Sequence, residues 1–96
     1  MTKSASQQWG FLTNHAQVLV CIARDPEARL RDISDRVGLT ERAVHRVVAD
    51  LAAAGYITRE RQGRRNRYTL NEHLALPDTI ARKGNVGELL GILNGR

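Results

Sequence analysis

Aliphatic residues recur with helical spacing in four stretches of the chain. In the first, Val18, Leu19 and Ile22 form a stripe that Val20 and Cys21 widen. A stretch this apolar predicts a largely buried helix running to about Arg24. Thr13 or Asn14 supplies its N-cap, and Asp25 followed by Pro26 ends it. In the second, Leu30, Ile33 and Val37 predict a short helix over 31–37. Gly38 follows where a left-handed C-terminal cap wants glycine. The third is the clearest, with Val44, Val47, Val48 and Leu51 at i, i+3, i+4 and i+7. It predicts a helix over 41–54 that Thr40 caps and Gly55 stops. In the fourth, Val86, Leu89, Leu90 and Leu93 precede Asn94 and Gly95.

Between the third and fourth helices the pattern changes. Tyr56, Ile57 and Thr58 open the segment 56–61, and Tyr68, Thr69 and Leu70 close the segment 67–70. These are strand formers. The five residues 62–66 between them contain Gly63 and Asn66 and read as the turn of a β-hairpin. Arg29, Leu30 and Arg31 are candidates for a very short third strand. Residues 71–85 read as an irregular connection around Pro77, and the polar, aperiodic residues 1–8 as a flexible tail. The fold class is therefore mainly α with a small β-hairpin (α+β).

Charge sharpens this picture. The chain has 96 residues, enough for one domain, and a net charge of +5. Of its 15 basic residues, all but Lys3 and Lys83 are arginine. Five of them, Arg59, Arg61, Arg64, Arg65 and Arg67, fall within the hairpin against the single acid Glu60. An arginine excess of this kind suits a polyanion, because guanidinium forms bidentate bonds to phosphate and to guanine. A solvated surface loop accounts for the charge equally well.

Other classes of function find little support. No glycine loop cradles a phosphate, no nucleophile elbow is present, and Asp32 and Asp35 lie on an ordinary solvated helix face, so no enzyme is expected. Cys21 is the only cysteine and, with His15, His45 and His73, does not make a metal-ligand cluster. It reads as a small core residue. No metal or cofactor is expected. With no apolar stretch long enough to span a bilayer and no secretory signal after Lys3, a reducing cytoplasmic home is expected. The arginines cluster on a hairpin and not on an amphipathic helix, which argues against membrane binding.

The second and third helices are joined through Val37, Gly38, Leu39 and Thr40. That short glycine turn matches a helix-turn-helix, and the small Ser34 lets the two helices approach closely. With the hairpin following, the stretch LRDISDRVGLTERAVHRVVADLAAAGYITRERQGRRNRYTL, residues 30–70, resembles winged helix-turn-helix transcriptional regulators of the MarR-like and ArsR-like kind. The resemblance implies a three-helix core plus a wing and a C-terminal helix. It also implies binding to double-stranded DNA and dimers formed through terminal helices.

The residues support the same reading. With the third helix's apolar stripe inward, Glu41, Arg42, His45, Arg46 and Ala49 lie on the opposite face. That is the face a recognition helix presents to the major groove. Arg42 and Arg46 can donate to guanine or phosphate, His45 more weakly. The Thr40 hydroxyl and nearby amides can meet a phosphate. Glu41 either accepts from cytosine or, more simply, favours the helix N-terminus. Arg64 and Arg65 mark the hairpin tip, and a narrow minor groove or the phosphate backbone attracts them. Arg59 and Arg61 share one strand face, Arg67 starts the return strand, and Arg31 is a further phosphate candidate.

Apolar residues at the two ends remain. Trp9, Phe11 and Leu12 precede the first helix, and Val86, Leu89, Leu90, Ile92 and Leu93 end the chain. They read as a dimer interface, or as cover for the monomer's own core. The expected organisation is a tail over 1–8, a DNA-binding domain over 9–76 and a dimerisation element over 77–96. The expected activity is that of a dimeric regulator, more simply a repressor, on a palindromic operator. A small-molecule effector is not indicated either way. The alternatives are a winged helix that docks proteins and a nonspecific nucleic-acid binder.

Overall fold

The computed structural model describes residues 10–77 and 83–94. The expected tail, 1–8, and Trp9 lie outside the described residues. Helix α1 spans Asn14–Arg24. Thr13, not Asn14, is its cap: its Oγ1 accepts from the Ala16 N–H at 3.1 Å. Helix α2 spans Leu30–Val37 and starts one residue earlier than the spacing predicts. The Asp32 carboxylate accepts the Arg29 N–H at 3.2 Å, which commits Leu30 and Arg31 to the helix and removes the expected strand there. The strand-like contact forms upstream instead, where the Tyr68 N–H donates to the Pro26 carbonyl at 2.9 Å.

The turn between α2 and α3 follows from its residues. Gly38 takes φ 75°, the left-handed conformation that a Cβ resists. The Gly38 and Leu39 amides both donate to the Ser34 carbonyl, at 2.9 and 3.2 Å. The Ser34 hydroxyl in turn donates to the Leu39 carbonyl, so its small side chain ties the junction as well as clearing space for it. Helix α3, Glu41–Ala53, is capped by Thr40 Oγ1, which accepts from the Ala43 N–H at 3.1 Å. It ends in a Schellman motif: Tyr56 N–H donates to Leu51 O at 2.9 Å and Gly55 N–H to Ala52 O at 3.1 Å.

Strands β1, Ile57–Gln62, and β2, Arg65–Leu70, pair antiparallel from Ile57↔Leu70 to Gln62↔Arg65. Only Gly63 and Arg64 remain for the turn, so the five-residue loop expected over 62–66 is corrected to two residues. Gly63, at φ 63°, supplies the first central position of a mirror-image turn whose twist matches that of the strands. Arg65 and Asn66 consequently belong to β2.

Helix α4 spans Val86–Leu93 behind a capping box, with Asn85 Oδ1 accepting from Glu88 N–H at 2.9 Å and Glu88 Oε1 from Asn85 N–H at 3.1 Å. The described part of the connection before it is irregular, as expected, but pinned. Val86 N–H donates to Leu74 O at 2.9 Å and Gly87 N–H to Glu72 O at 2.8 Å. A Cβ at Gly87 would stand 2.9 Å from Glu72 Cβ and 3.1 Å from that carbonyl oxygen. Gly87→Ala is therefore expected to push the connection off α4, at a cost of about 1–3 kcal/mol. A circular-dichroism melt should show a midpoint lowered by at least about 4 °C.

The core gathers one stripe from each helix and one face of the hairpin. Val18, Ile22, Ile33, Val44 and Val86 are fully enclosed, with Val47, Val48, Leu51, Ile57, Tyr68 and Leu90 around them. The whole α3 stripe read from the sequence is buried. That burial fixes which side of α3 is left for solvent.

Candidate nucleic-acid interface

Thr40, Glu41, Arg42, His45, Arg46 and Ala49 are all exposed, on the side of α3 opposite its buried stripe. Among the described residues, no ion pair or side-chain hydrogen bond ties Arg42 or Arg46 to the protein. Because Thr40 Oγ1 serves as an acceptor in the cap, its hydroxyl hydrogen stays available to an incoming anion. A groove of about 450 Å³ runs between α3 and β1, lined by His45, Val48, Ala49 and Ala52 on the helix and by Ile57, Thr58 and Arg59 on the strand. His45 and Arg59 therefore flank one channel, a relation that spacing along the chain does not reveal.

The hairpin leaves the body with its faces already sorted. Ile57 and Tyr68 are buried on one face, and strand alternation puts Arg59 and Arg61 on that same face further out. The structure thus brings Arg59 and Arg61 together as expected. Burial pushes the Tyr68 phenol up from its ordinary pKa, and the positive charge of Arg59 opposes that shift. Arg61 Nε donates to the Gly63 carbonyl at 3.1 Å and stiffens the turn. Arg64, at the tip, and Arg31, on the first turn of α2, are exposed and carry no recorded partner among the described residues.

Two arginines behave differently. Arg67 Nη1 donates to Glu27 Oε2 at 2.9 Å, and Arg65 Nη1 lies 4.0 Å from Glu27 Oε1. Glu27 has no role in the sequence reading. It is 40 residues away from Arg67 and meets it only because Pro26 docks on the backbone of β2. The expected third strand at 29–31 was the nearest signal for this contact.

A model of the MarR family matches residues 9–67, from ahead of α1 to Arg67 in β2, which is more than half of the chain. The chain belongs to the MarR family. The family is one of transcription regulators, not of enzymes. Among solved structures, the chain is similar to the PcaV transcriptional regulator from Streptomyces coelicolor in complex with its natural ligand. The identity is 27%, with a TM-score of 0.55 over 62% of this chain and 45% of that one. It is also similar to MepR, a transcription regulator of the Staphylococcus aureus multidrug efflux pump MepA. There the identity is 19%, with a TM-score of 0.53 over 86% and 58% of the two chains. The second likeness shows the fold alone. The chain spans about half the length of these structures. Among curated proteins nothing matches. The layout of helices and hairpin is the α+β winged helix of these MarR-family neighbours.

The ends of this MarR-family chain divide unequally. Val86 and Leu90, 1% and 5% exposed, are taken up by the chain's own core. Phe11 and Ile92, in contrast, are 88% and 75% exposed. Leu89 and Leu93 line an apolar pocket of about 160 Å³ together with Leu19, Leu51 and Tyr56, while Leu12 is half-buried beside a different groove near Cys21. Cys21 is buried, as its reading as a core residue requires. Its sulfur accepts from Arg36 Nη1 at 3.9 Å and, ahead of the charges of Asp25 and Asp32, raises the Arg36 pKa. Arg36 is in this way tied to the body and set apart from the arginines of α3. His15 Nε2 sits 2.9 Å from Asp50 Oδ2 and bridges α1 to α3. Among the described residues, no three His, Cys, Asp or Glu side chains could together hold a metal, and no helix is long and apolar enough to cross a membrane.

Proposed function

We propose that the chain is a sequence-specific regulator that binds double-stranded DNA, with α3 in the major groove and the hairpin, the wing, on the neighbouring minor groove and backbone. The observation that carries this reading is the unpaired, exposed pair Arg42 and Arg46 on the face of α3 that shares a channel edge with Arg59. Arg42 and Arg46 read guanine edges, with His45 beside them. Arg31, Thr40, Arg59 and Arg64 hold phosphates, and Arg61 braces the tip. Glu41 serves the α3 N-terminus electrostatically. Residues 9–76 bind DNA, and 77–96 support a cytoplasmic homodimer that represses from a palindromic operator.

Counting contacts favours the dimer. Three arginine-held phosphates per protomer make six per dimer, for a log–log salt slope of about −5. Half that number would bind weakly at physiological salt. Since Val86 and Leu90 are occupied internally, the dimer contact falls to Ile92, Phe11 and the rims of Leu89 and Leu93. Selection of bound duplexes from a random pool, at two salt concentrations, tests the proposal. It should enrich an inverted repeat with half-sites about 10 base pairs apart. A pool that stays random would count decisively against sequence reading.

A further inference from the structure

We propose that Glu27 is a specificity-determining residue: its carboxylate, paired with Arg67 and close to Arg65, cancels one positive charge of the wing and so lowers the affinity of the wing for duplex of any sequence. This rests on the DNA-binding reading above.

The geometry is direct. One carboxylate meets both arginines, with oxygen Oε2 2.9 Å from Arg67 Nη1 and oxygen Oε1 4.0 Å from Arg65 Nη1. The backbone that carries it is held from both sides. The Glu27 N–H donates to Asp25 Oδ1 at 3.2 Å, and the following Ala28 is 4% exposed and part of the core. On the other side, Pro26 O accepts the Tyr68 N–H at 2.9 Å, one residue along β2 from Arg67. That backbone has little conformational freedom left to lose when Glu27 pairs. Glu60 stands directly across the hairpin from Arg67 but, among the described residues, makes no ion pair with it, and Glu27 is the carboxylate in contact.

The side chains of the three residues are about half exposed. A pair this wet contributes little to stability. Its consequence lies in counterions. An arginine already neutralised by the protein releases no condensed cation when it meets DNA, and so adds nothing to the salt slope. One carboxylate cancels one charge, so Arg67 and Arg65 together keep a net +1 in place of +2, while Arg59 and Arg64 make no ion pair among the described residues and Arg61 keeps its charge as it braces the turn. Sequence-independent attraction is thereby held down without touching Arg42 and Arg46, and discrimination is a difference between those two terms.

The test uses the full chain and a duplex of random sequence, titrated over a range of salt. Glu27→Gln is expected to steepen the log–log slope by about 0.9 per protomer, for the one charge that the carboxylate cancels. It should tighten random-duplex binding severalfold at low salt and lower the ratio of cognate to random affinity. Adding Arg67→Gln to Glu27→Gln should return the slope to that of the wild type, because Arg65 alone then carries the net +1. Equal slopes for wild type and Glu27→Gln, or a double variant whose slope stays at that of Glu27→Gln, would overturn the proposal. Should Glu27→Gln fail to fold, Glu27→Ala is read in its place against the same expected slope. If the wild type itself shows no salt-dependent duplex binding, the DNA-binding reading falls first and this proposal with it.

Discussion

Arg46→Ala is expected to weaken binding to the cognate duplex by two to four orders of magnitude while leaving the fold intact. A good bidentate contact to guanine is worth about 1–3 kcal/mol of discrimination. A two-fold symmetric dimer makes that contact twice, so about 2–6 kcal/mol is at stake. The side chain is exposed and has no hydrogen-bond or ion-pair partner among the described residues, so its removal costs little packing. Binding to random duplex should change far less, because at most one phosphate contact per protomer is lost. Arg36→Ala is the matched control: it removes the same charge, but from a guanidinium tied to Asp25 at 3.6 Å and to the Cys21 sulfur. Mobility-shift titrations on selected and random duplexes separate the cases. Equal losses on both would make Arg46 a phosphate contact, and no loss on either would remove α3 from the major groove.

Ile33→Ala is expected to cost about 2–5 kcal/mol, a large share of the stability of a domain this size. Ile33 is fully enclosed and is the buried residue of α2. It stands on the helix whose angle to α3 is set by the Gly38 turn. A cavity there removes packing from the junction that aims α3, and the short helix has few other buried groups to hold it. A thermal melt should show the midpoint lowered by about 10 °C or more. DNA binding should recover on cooling, in contrast with Arg46→Ala, whose defect is independent of temperature. A melt unchanged within a few degrees would mean that α2 is held by other contacts.

The helices were legible because period and punctuation agree. Val44, Val47, Val48 and Leu51 announce α3, and Gly38 and Gly55 mark the ends of α2 and α3 with the left-handed conformations found there. The exposed face of α3 follows from the same stripe by simple geometry. The hairpin turn was legible only in outline. Gly63, Arg64, Arg65 and Asn66 are all compatible with a turn, and what decides between two and five residues is backbone pairing across the strands. The third strand failed because Asp32 captures the Arg29 amide and starts a helix. Glu27 was invisible because its significance depends on two residues of β2, and nothing in local composition distinguishes a carboxylate that meets a wing from one that meets water. The arginine cluster is legible as charge density along the chain, and which of its members meet a carboxylate is decided by the packing of Pro26 and Glu27 against β2.

Val86 and Leu90 have a bearing on how this protein can be cut. A boundary after residue 76 looks natural from the chain pattern, since everything that would touch a duplex lies before it. Yet those two aliphatics plug the far side of the core against α1, and the amides of residues 86 and 87 clip the connection after the wing. A fragment ending at 76 would expose the apolar floor it leaves behind and is expected to aggregate. Loss of binding in a C-terminal deletion series would then report a collapsed fold, and not a missing partner contact.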